Sequence, residues 1–179
     1  EKTLESTRIE NEKNEKYTSG SVRGFTSSRW TLEYCIAMSC LSEDFHKSVH
    51  YGKKILNARE HISLTDEKIS EADQEVTKEV AEWKELPPWR KAYEIYSLML
   101  DKDGKSGLKA IVAQCLASIL RWKTSIIPEE IKQEKMFDLD LYRLRTDAQK
   151  KAELKSKIEE DQFLSYIVKA IKYAAGENV

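Results

Sequence analysis

Between residues 69 and 83 the apolar positions Ile69, Ala72, Val76, Val80 and Trp83 recur by three, four, four and three, a stripe one residue wide along an otherwise charged segment. That spacing predicts an amphipathic helix. Thr65, with Asp66 and Glu67 behind it, supplies the cap that opens it, and Pro87 closes it. So narrow a seam suits a single partner helix.

The same reasoning places the other elements. A first helix is expected from Ser27 or Ser28 through Trp30, Leu32, Tyr34, Ile36, Ala37, Met38, Cys40 and Leu41. It is apolar nearly all round, which predicts a central position. A second helix starts near Ser42 with Glu43 and Asp44 in its first turn, carries Phe45, Val49, Ile55 and Leu56, and tolerates Gly52 as a weak point; it could continue the first. Pro88 opens a helix through Trp89, Ala92, Tyr93, Ile95, Tyr96, Met99 and Leu100, which stops in the loop Asp101 to Gly107. From Ser106 the positions Leu108, Ile111, Val112, Cys115, Leu116, Ile119 and Leu120 trace the full face of a core helix. Pro128 with Glu129 and Glu130 opens a short helix around Met136 and Phe137, and a further piece carries Leu139 to Leu144. Thr146 and Asp147 cap a long C-terminal helical stretch that ends at Gly176.

Residues 1–26 hold only Leu4, Ile9, Tyr17, Val22 and Phe25 as apolar side chains, too few to repay ordering. They are expected to form a flexible polar arm, simply disordered in the first reading and, in the alternative, folding on a partner or swapping between subunits. The prediction is therefore all-α: an irregular bundle of six to eight helices over residues 27–179, behind that arm. Six glycines and three prolines in 179 residues leave too few turn-formers for a β-sandwich.

Charge changes the picture locally rather than globally. Thirty Lys and Arg against 31 Asp and Glu give a net charge of -1, so no overall field draws the molecule to phosphate or anionic lipid. Residues 66–86 carry eight acidic and three basic side chains, whereas residues 143–157 carry six basic and two acidic. Arg143, Lys150 and Lys157 are seven apart, which puts them on one helix face, with Lys151 beside them. Lys47, Lys53, Lys54 and Arg59 form a second basic region. If the two regions meet, with Tyr51 and Tyr142 nearby, they can track a phosphate backbone; if the basic helix meets the acidic one, the contact is complementary within or between chains.

Candidate chemistry adds little. The longest apolar run, Tyr34 to Met38, is five residues, which excludes a membrane-spanning helix there. Three cysteines set in apolar segments and no glycosylation acceptor favour a reducing compartment such as the cytoplasm. Cys35, Cys40, His46 and His50 have zinc-ligand identities, but a single helix over 28–51 would hold Cys35 and His50 about 22 Å apart. Buried cysteines and surface histidines, with no metal and no cofactor, are expected instead. The helix His46 to His50 lacks a zinc-protease glutamate, and no arginine lies five to seven residues before His46, His50 or His61 to form the pair of a helical ribonuclease. The Asp101 to Gly107 loop satisfies neither a calcium nor a phosphate loop, since Val112 stands at the twelfth calcium position and Met99 at the first glycine.

With no catalytic motif, the expected role is a non-enzymatic helical adaptor or assembly subunit, open to oligomer formation. Its protein-facing residues would be Ile69, Val76, Val80, Trp83 and Trp89, the tryptophans straddling the rigid Pro87-Pro88 corner. The alternative is a nucleic-acid-associated subunit of a viral or defence ribonucleoprotein, binding the phosphate backbone through Arg143, Lys150, Lys151 and Lys157.

Overall fold

The computed structural model describes residues 11–19, 22–27, 31–57, 64–100 and 107–177. Among the described residues the fold is all-α, with a helix number in the predicted range. After helical residues 11–17 (α1) come α2 (Leu32–Met38), α3 (Ser42–Asn57), α4 (Asp66–Glu82), α5 (Pro88–Ser97) and α6 (Leu108–Lys123). A 3-10 segment (Gln133–Tyr142) precedes α7 (Ala148–Glu160) and α8 (Ser165–Ala174).

Local chemistry sets most boundaries. Thr65 caps α4 and Asp147 caps α7, its carboxylate accepting from the amides of Gln149 and Lys150 at 3.1 and 3.2 Å. Pro88 occupies the first turn of α5. The first helix departs from expectation: Thr31 caps it, accepting from the Tyr34 amide at 3.2 Å, so it starts at Leu32. It is separate from α3 because Ser39 turns extended, and its hydroxyl takes the Leu41 amide at 3.1 Å. Serine competing for backbone partners is a common way to end a helix. The C-terminal stretch is likewise two helices, split at Asp161, whose carboxylate accepts from the Phe163 amide at 2.8 Å. The expected helix after Pro128 is instead a turn followed by the 3-10 segment.

The central element is α3 and not the first helix, which is one short element with Leu32 exposed. α3 packs against α6 on one side and α4 on another, while α2 lies on α5. Phe45 and Val49 enter a core with Ala37, Ala92, Ile95, Met99, Leu108, Val112 and Leu116. Tyr51 enters a second core with Leu64, Ile69, Ala72, Cys115, Ile119 and Met136. Gly52 is the point of close approach between α3 and α6, facing Val112 and Leu108. Its role is contact, not weakness.

Part of the expected arm is folded against the bundle. Asn14 accepts from the Thr26 amide at 2.7 Å, and Phe25 packs on Tyr173 of α8 with ring centroids 5.6 Å apart. Residues 1–10, Trp30, Arg59, His61 and the Asp101 to Ser106 loop lie outside the described residues.

Candidate functional site

Two turns of neighbouring helices create the chemically densest point. His46 and His50 stand one turn apart on α3, and Glu75 and Glu79 repeat that spacing on α4. Packing α3 on α4 brings the four together. Nε2 of His46 lies 2.6 Å from Oε2 of Glu79, and Nε2 of His50 lies 2.8 Å from that same oxygen. The other ring nitrogen of His50, Nδ1, is 2.8 Å from Oε2 of Glu75. Lys54 then donates to Glu75 at 2.9 Å and to Glu71 at 3.0 Å, and the Tyr51 hydroxyl donates to Asp73 at 2.7 Å. The expectation of surface histidines is overturned: His46 and His50 are 2% and 3% exposed, because α4 covers the face they occupy.

Electrostatics follow from this burial. Desolvation pushes the His46 imidazolium below its ordinary 6.5, and the bond and charge of Glu79 pull upward without overcoming it. Burial works against ionising Glu75, yet hydrogen bonds from Lys54 and His50 outweigh it and hold the carboxyl below the ordinary value. Trp83 stacks on the His46 ring at 5.1 Å and fixes its plane. Beside it runs a cleft of about 570 Å³ between α3, α4 and α5, lined among others by His46, Lys47, Val80, Trp83, Lys91 and Ile95.

The predicted protein-facing residues divide. Ile69 and Val76 are buried within the chain, because the partner helix that the narrow seam called for is largely its own α3. Trp83 is half-buried against His46. Val80 and Trp89 remain exposed, at 53% and 56%. Lys47 and Lys54 of the second basic region face carboxylates, Lys47 at 3.6 Å from Glu43, and Tyr51 is buried, so that region offers no aromatic platform with Tyr51 for a phosphate chain.

The basic helix α7 buries none of its residues, and Lys150, Lys151 and Lys157 are exposed. Arg143 does not share their face, since α7 starts at Ala148 and Arg143 ends the 3-10 segment in a left-handed conformation, φ 45°. α7 packs on α8, and α4 on α3 and the 3-10 segment, so the acidic and basic helices are not paired lengthwise within the chain.

The cysteines stay apart from the histidines. Cys35 and Cys115 are buried and Cys40 is exposed, with no disulfide among them. Among the described residues no helix is long and apolar enough to cross a membrane. Comparison with known proteins gives no match: no family model, no curated protein and no solved structure matches the chain.

Proposed function

We propose that this chain is a non-enzymatic assembly subunit, a helical module that associates with further copies of itself by setting the acidic face of α4 against the basic α7 of a neighbour. The carrying observation is that the two helices of opposite charge expose their charged faces and are packed on different partners. On α4, Asp66, Glu67, Glu71 and Glu82 are exposed; on α7, so are Lys150, Lys151, Lys155 and Lys157. A contact between unlike surfaces is head-to-tail, and it closes into a ring or continues as a filament. A net charge of -1 leaves little general repulsion between copies. Val80 on α4 and Trp89 on α5 are exposed as well.

Sedimentation velocity of the purified chain tests this. At low ionic strength the chain is expected to form species larger than a monomer, and these dissociate as added salt screens the exposed charges. Lys150→Glu with Lys157→Glu is expected to remain monomeric throughout. A wild-type chain that is monomeric at low salt and high concentration contradicts the proposal.

The wholly exposed row on α7 also favours a second reading, contact with a nucleic-acid backbone. Retention on a polyanion column that falls steeply with salt, is lost in the same lysine variant and is indifferent to changes on α4 identifies that case.

A further inference from the structure

We propose that His46, His50 and Glu79 form a binding site for a first-row transition-metal dication, zinc foremost, with Glu75 and Lys54 orienting its ligands. This inference is independent of assembly. One donor atom from each of the three residues lies within 4.8 Å of the other two, on two helices whose packing fixes their spacing. Tetrahedral zinc with bonds of about 2.0–2.1 Å to nitrogen and oxygen sets neighbouring donors about 3.3 Å apart. The present 2.6 and 2.8 Å contacts reach that separation by small side-chain rotations.

The hydrogen bonding of His50 carries the argument further. Its two ring nitrogens each face a carboxylate oxygen at 2.8 Å. Carboxylate oxygens only accept, so each contact calls for a ring N–H or a cation between nitrogen and oxygen. A bound cation would fill that role on the Nε2 side. It takes the Nε2 lone pairs of His46 and His50 and the Glu79 oxygen, while the Nδ1 hydrogen of His50 is donated to Glu75. A metal-bound histidine steered by a carboxylate on its far nitrogen is the usual arrangement of such sites.

The surrounding groups hold the same geometry. Lys54 anchors Glu75 at 2.9 Å, and Trp83 holds the His46 ring. Three protein ligands leave a fourth tetrahedral position for a water, and His46 also lines the neighbouring cleft. Two imidazoles and one carboxylate, with no thiolate, suit zinc or cobalt better than a soft monovalent ion.

The full-length chain, stripped with a chelator, is titrated with Zn²⁺ by calorimetry and with Co²⁺ by visible absorption. One ion per chain is expected. Glu79→Gln and His50→Gln are expected to abolish binding while keeping a helical circular dichroism spectrum, Glu75→Gln to weaken it about 10- to 100-fold, and Cys40→Ser to leave it unchanged. Nitrogen-15 spectra of the wild-type histidine rings give a readout that needs no variant: zinc is expected to move the Nε2 signals of two histidines. Absence of stoichiometric Zn²⁺ and Co²⁺ binding, unchanged ring spectra, or undiminished binding in folded Glu79→Gln overturns the proposal.

Discussion

A Cβ atom added at Gly52 would sit 2.8 Å from Cγ2 of Val112, closer than real Cβ contacts come. The short branched valine cannot swing aside, and its own amide stands 3.5 Å from the same point. Gly52→Ala gains about 1 kcal/mol of helix propensity, but overpacking costs about 1–3 kcal/mol. A net loss of about 1 kcal/mol is expected in urea unfolding. In a Val112→Ala background the collision is gone and the same substitution becomes stabilising. Equal effects in the two backgrounds would show that α3 and α6 do not meet as described.

The ion pair of Glu33 with Lys109, 2.8 Å long, ties α2 to α6. Burial opposes ionisation of Glu33, yet hydrogen bonds and the lysine charge win and hold its carboxyl below the ordinary 4.5. The Glu33 hydrogen bond raises Lys109 above 10.5. A depressed acid contributes stability above its unfolded pKa and loses it as pH falls through the folded one; a raised base contributes below its unfolded pKa and loses it as pH rises. The contribution is therefore full between about pH 4.5 and 10.5 and fades outside that window. Because Lys109 is exposed, Glu33→Gln should cost no more than about 1 kcal/mol at neutral pH. Thermal melts of both proteins should converge in acid; a constant gap across pH refutes the pairing.

Asp161 links the two helix interruptions, accepting from the Cys40 amide at 2.7 Å. Desolvation, then the Asp161 charge, raises the Cys40 thiol above its ordinary 9.0, while burial alone pushes Cys115 up to about 12. One of three thiols should react with a disulfide reagent in the native state, Cys40, and more slowly than a free thiol. Asp161→Asn should accelerate it. Rapid native labelling of Cys35 or Cys115 would contradict their burial.

Elements whose limits are written locally were legible in the chain. Thr65, Pro88 and Asp147 act on amides or dihedrals within a turn of themselves, so neighbouring residues suffice to place α4, α5 and α7. The split at Ser39 was not, because serine there competes with a helix that its apolar neighbours favour. The histidine centre was missed for a different reason. Its acid partner, Glu79, is 33 residues from His46 and joins it only when α3 packs on α4. A signal existed: two histidines at i, i+4 and two glutamates at i, i+4 on the next helix form matching pairs. Ile69 and Val76 face their own α3, because a seam that needs one partner helix does not say whether that helix belongs to the same chain.

Heterotypic rescue addresses the assembly proposal most directly. Lys150→Glu with Lys157→Glu reverses α7 in one variant, and Glu67→Lys with Glu82→Lys removes most of the net acidity of α4 in another. Each alone should sediment as a monomer at low salt. Mixed, the acidic α4 of the first can meet the basic α7 of the second, and a dimer should appear. Failure of the mixture to associate under conditions where the wild-type chain does, or self-association of either variant alone, contradicts the account.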